Sequence, residues 1–85
     1  MKERARLRKM AGLTQIQLGR RIGKSAGTIC LWERGECELA TADVERIARV
    51  IENELAKQIA LLGMSVIFGP DRIIGMLTKV DNHRH

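Results

Sequence analysis

Eighty-five residues with 45% apolar content suffice for one small core, built almost wholly from aliphatic side chains because Trp32 and Phe68 are the only aromatics. No run of eighteen apolar residues exists, and Met1 to Lys9 is too charged for a signal peptide. A membrane span is thereby excluded and a cytoplasmic location expected. The net charge of +5 is uneven: residues 1–34 hold nine Lys/Arg against two acids, whereas residues 35–62 hold three against six. A basic N-terminal half suits a phosphate-rich partner.

Lys2 to Met10 reads as the first helix, with Ala5, Leu7 and Met10 as its apolar contribution. Thr14 can cap a second helix, Gln15 to Ile22, whose apolar positions are Ile16, Leu18 and Ile22, and Gly23 ends it. Ser25 caps a third, Ala26 to Glu33, with Ile29 and Trp32 as the buried pair, and Gly35 closes it. The pattern is helix, glycine turn, helix.

Leu7 to Gln15, then Leu18, Gly23, Ser25, Thr28-Ile29 and Trp32 to Gly35, together resemble the phage-repressor and Cro type of helix-turn-helix, the xenobiotic-response-element family. The resemblance covers about Leu7 to Ile51. It implies a lambda-repressor-like, all-α bundle of about five helices whose third helix lies in the DNA major groove. It also implies a buried ion pair between Arg8 and Glu33. Gln15 would then contact a phosphate and brace the recognition helix. Around it, Gln17, Lys24, Ser25, Ala26, Gly27, Thr28, Leu31 and Arg34 are the expected DNA-contact positions, with Arg20 or Arg21 as further candidates for backbone contacts.

Two departures from the family pattern stand out. Ala26, Gly27 and Leu31 occupy base-reading positions but cannot form side-chain hydrogen bonds. Ala26 and Leu31 could touch a thymine methyl, and specificity otherwise falls to Thr28, Arg34 or DNA shape. Gly27 weakens its helix, hinting that a larger residue would collide with something. Secondly, Glu36 and Glu38 follow the recognition helix where relatives are basic. Those carboxylates would repel DNA unless the loop swings away or meets a basic partner.

Thr41 is expected to cap a long helix over 42–62, with Asp43 and Glu45 in its first turn and a possible break at Asn53. Val44, Ile47, Ala48, Ile51, Leu55, Ile59 and Leu62 form its apolar stripe. Met64 to Phe68 fits either a strand or a buried helical turn, and Pro70 opens a last helix with Ile73, Ile74, Leu77 and Val80 on one face. The expected division is a DNA-binding region over 1–52 and an extended dimerisation or partner-binding segment over 53–85, within one structural domain. The dimer interface falls on Leu55, Ile59, Leu62, Val66, Ile67, Phe68, Ile73 and Leu77.

No catalytic constellation is present, so no enzyme, cofactor or metal is expected. His83 and His85 lie in a polar tail. Cys30 and Cys37 fit no zinc ligand set, and read as reduced thiols that are either ordinary small side chains or a switch near the DNA face. The leading function is a dimeric transcriptional regulator on an inverted-repeat operator in double-stranded DNA. An antitoxin or a protein-interaction module keeping the same fold is the rival, with a toxin or RNA polymerase as possible protein partner.

Overall fold

Capping residues and glycines divide the N-terminal half into short helices. The computed structural model describes residues 2–62 and 70–78, which form α1 (Lys2–Met10), α2 (Gln15–Ile22), α3 (Ala26–Glu33), α4 (Thr41–Leu61) and α5 (Pro70–Thr78). No strand occurs among the described residues. The fold is an all-α helix-turn-helix bundle. Met64 to Phe68, including the interface candidates Val66, Ile67 and Phe68, lies outside the described residues, as do Val80, His83 and His85.

The Thr14 hydroxyl accepts from the Gln17 amide at 3.0 Å, and the Gln17 side chain accepts from the Thr14 amide at 2.8 Å. This reciprocal cap satisfies two of the donors that a helix start leaves free. α2 then buries Leu18, Gly19 and Ile22. Ile16 stands 56% exposed instead of joining them, because two residues of helix rotate it about 200° from Leu18. Met10 is likewise 54% exposed: α1 and the residue after it bury Arg4, Leu7, Arg8 and Ala11, and Met10 falls outside that arc.

α4 is one uninterrupted helix of 21 residues, about 31 Å long, with no break at Asn53. Its N-cap is Ala40, which makes no side-chain cap bond, and Thr41 is the first helical residue; Asp43 occupies the first turn. Val44, Ile47, Ala48 and Ile51 are buried, and Leu55 packs partly against them. Beyond Leu55 the stripe leaves the core: Ile59 is half-buried, while Leu61 and Leu62 are 86% and 75% exposed. The Gln58 side chain donates to the Met10 carbonyl at 3.0 Å and ties this outer part of α4 to the end of α1. No described helix is long and apolar enough to cross a membrane.

α5 completes the bundle. It packs on α4 and α1. Ile73 and Leu77 are buried in the same core as Leu18, Ile29, Trp32 and Ile51. Both interface candidates are thus core residues of the described chain. α1 alone is too polar to close the apolar face of α4, and the stripe on α5 supplies the missing surface.

Candidate nucleic-acid interface

The turn between α2 and α3 is fixed by two glycines with different tasks. Gly23 takes φ 74°, and its amide donates to the Gly19 carbonyl; a side-chain-bearing residue would be strained in this left-handed conformation. Gly19 lies inside the close approach itself. A Cβ there would collide with the Lys24 carbonyl oxygen, whose backbone cannot swing aside. The Lys24 amide bonds to the same Gly19 carbonyl at 2.8 Å. Ser25 then starts α3 by accepting the Thr28 amide at 3.1 Å. Buried Ile29 and Trp32 hold the inner face of α3 on the core.

The C-terminal end of α3 is clamped by charge. Arg8 Nε donates to Glu33 Oε2 at 2.6 Å and Nη2 to Oε1 at 3.2 Å, while Nη1 donates to the Leu13 carbonyl at 2.9 Å. Gln15 Nε2 adds a bond to Glu33 Oε1 at 3.1 Å. Both ions are buried, so their desolvation is offset only because the fork geometry and the extra hydrogen bonds are complete. Gln15 thus braces the end of α3 from the first residue of α2, a helix start whose free amides suit a phosphate oxygen. Gln17, also an expected DNA-contact position, is exposed and uses its side-chain oxygen in the α2 cap.

Sequence reading missed Arg4. Between half-buried Glu3 and Ala5, it is only 5% exposed. Its Nε donates to the Leu77 carbonyl at 2.9 Å, its Nη1 to the Trp32 carbonyl at 2.6 Å, and its guanidinium lies 4.5 Å from the centre of the Trp32 ring. One side chain therefore links α1, the end of α3 and α5. The third outlet of Arg4 is Glu38, with Nη2 at 3.5 Å. Glu36 meets Arg34 at 2.9 Å. The two carboxylates expected to repel DNA are each paired within the chain.

The outward face of α3 carries Gly27, Leu31 and, just past its end, Arg34, at spacings of four and three. All three are exposed, and Ala26 and Thr28 flank them half-buried. Gly27 has room: an added Cβ would meet only Ser25 Oγ at 3.8 Å, so the expected collision does not arise within the chain. Lys24 contacts Asp43 at 3.4 Å and Arg21 contacts Glu54 at 3.2 Å, whereas Arg20 stands exposed. In both pairs the basic side chain is the more exposed partner, so its cation reaches solvent beside α3.

An open groove is lined by Lys2, Ala5, Lys9, Gln15, Cys30 and Arg34, with the paired Arg8 and Glu33 also in its wall. Arg34 is held in its charged form still more firmly than usual, first by a hydrogen bond with the Cys30 thiol and then by Glu36. The groove offers cations and an amide side chain to an anion. Cys37 sits on the other side, half-buried, with its sulfur 3.9 Å from the Thr28 carbonyl oxygen.

Residues 5–53, more than half the chain, match the family model described as a helix-turn-helix domain. No curated protein and no solved structure matches the chain. With Gly19 and Gly23 shaping the turn and α3 presented beyond it, the chain belongs to the helix-turn-helix domain family of DNA-binding proteins.

Proposed function

We propose that this protein is a sequence-specific transcriptional regulator of the repressor or Cro kind, binding an inverted repeat as a homodimer with α3 in the major groove. The observation that carries the reading is the double anchoring of α3. Ile29 and Trp32 fix its inner face and the Arg8–Gln15–Glu33 brace fixes its end, so Gly27, Leu31 and Arg34 are presented rigidly outward. The cationic groove beside it supports backbone contacts from Lys2, Lys9 and Arg34 together with Gln15. Lys24 and the Ser25 end of α3 add further phosphate contacts.

Leu55, Ile59 and Leu62, joined by Leu61, supply the dimer contact in this proposal. Leu61 and Leu62 form exposed apolar surface at the end of α4, which a second copy would cover. A two-fold axis there would place two recognition helices about 34 Å apart, one turn of B-DNA. Promoter occupancy then excludes polymerase.

The test is selection from random duplexes, followed by a salt titration of the recovered sites. An inverted repeat with half-sites one turn apart, bound with a steep salt slope, supports the reading. Return of the pool without enrichment refutes sequence-specific regulation and leaves a protein-interaction module or antitoxin. Sedimentation of Leu61→Glu/Leu62→Glu gives a monomer if this apolar end is the interface; a dimer unchanged by both charges places the interface elsewhere.

A further inference from the structure

The recognition face is unusually poor in free polar groups. The helix Ala26–Glu33 contains no Arg, Lys, Asn or Gln, the side chains that read base edges by paired hydrogen bonds. Ser25 and Thr28 carry the only hydroxyls near its start, and these face each other at 3.0 Å while Ser25 also accepts the Thr28 amide. A single hydroxyl proton remains between the two for anything outside the chain. Arg34 lies past the far end of the helix, beside Glu36, and Lys24 before its start, beside Asp43, so both cations suit phosphates and not base edges.

What the face does offer is apolar. Leu31 is 41% exposed on the surface of a helix that already buries Ile29 and Trp32. Ala26 and Thr28, both half-buried, flank the same surface. Between them Gly27 leaves a gap of one side chain that nothing in the protein requires, since a Cβ would fit without contact closer than 3.8 Å. The glycine weakens the helix, and no gain within the chain offsets that loss. A recess beside an exposed leucine is complementary to a small apolar protrusion. In the major groove the C5-methyl of a pyrimidine is that protrusion.

We propose that α3 recognises C5-methyl groups, through Leu31 and the recess at Gly27. This rests on the reading of α3 as the major-groove element and adds the chemical class that it selects. Thymine carries such a methyl, and 5-methylcytosine carries the same group at the same place. The protein therefore favours thymine in its half-sites and accepts 5-methylcytosine there over cytosine.

The experiment starts from the duplex recovered by selection. Each thymine of a half-site is replaced in turn by uracil, which pairs identically and lacks only the methyl. At the sensitive positions cytosine and 5-methylcytosine are then compared. One or two positions per half-site are expected to lose about fourfold in affinity with uracil, the value of one buried methyl. 5-Methylcytosine is expected to outbind cytosine by a similar factor. Leu31→Ala should abolish the uracil penalty while leaving the salt slope unchanged, a readout that a fault in folding or in phosphate contacts would not give. An enriched operator that binds equally well with uracil at every position overturns methyl recognition alone. A pool without enrichment overturns it together with the proposed function.

Discussion

Replacing Arg4 by alanine tests whether one buried guanidinium joins three helices. The substitution removes charge-assisted bonds to the Trp32 and Leu77 carbonyls at 2.6 and 2.9 Å, each worth about 1.5–3 kcal/mol. It also removes a cation–π contact at 4.5 Å that contributes about 1–2 kcal/mol in a desolvated setting. The Glu38 contact adds little, because that carboxylate is mostly in water. The Trp32 carbonyl keeps a second donor, the Gly35 amide at 3.0 Å, so its loss is cushioned. These contributions overlap, and the expected destabilisation is about 3–5 kcal/mol, a large share of what a domain of this size possesses. Arg6→Ala is the control: its side chain is exposed and pairs with Glu3 in the same helix, so it should change stability by less than about 0.5 kcal/mol. Urea unfolding followed by far-ultraviolet circular dichroism measures both. Arg4→Lys keeps the charge but not the fork and should recover only part. If Arg4→Ala and Arg6→Ala agree within about 1 kcal/mol, the linking role is refuted.

Breaking the Arg8–Glu33 pair from one side should cost about 3–5 kcal/mol, whereas Arg8→Met/Glu33→Leu should regain most of it; equal losses in single and double variants would contradict the buried-pair account. Gly19→Ala should destabilise by about 1–3 kcal/mol and weaken DNA binding, because its Cβ meets the Lys24 carbonyl, while Gly27→Ala should stabilise by up to about 1 kcal/mol. Thermal melts of the two variants moving in the same direction would show that the turn is looser than described. Arg21, and after it Lys57, hold the Glu54 carboxyl below the usual carboxylate range. A carboxyl lowered on folding stabilises above its unfolded pKa and loses that contribution as pH falls through the folded one. Glu54→Gln should therefore flatten the acid limb of stability against pH, and a profile identical to wild type would argue against the contact in solution.

Local chemistry was legible in the sequence. Thr14, Gly23 and Ser25 act on their nearest neighbours, so their roles follow from residue type and position. Ile29 and Trp32 were legible for the same reason. Arg8–Glu33 is a contact across 25 positions, and only the family resemblance pointed to it. Arg4 was not legible: periodicity treats it as a polar twin of Arg6, and nothing local says which arginine faces Trp32. Ile73 and Leu77 show the converse, for an amphipathic stripe reveals that a face is buried but not against which surface. Glu36 and Glu38 read as obstacles to DNA until their arginine partners were placed. The Cβ space at Gly27 needed coordinates, because a helical glycine looks the same whether it avoids its own chain or something outside it.

The bond from Arg4 to the Leu77 carbonyl spans 73 positions, which gives the protein a timetable. During synthesis α1 and α3 exist well before α5. At about 5–20 residues per second, several seconds separate the emergence of Glu33 from that of Leu77. Throughout that interval the inner surface that α5 will cover is open, and Arg4 lacks one of its carbonyls. Contacts of such sequence separation form late and slow the final closure. A nascent chain halted before residue 77 would carry α3 without the last described helix of the core.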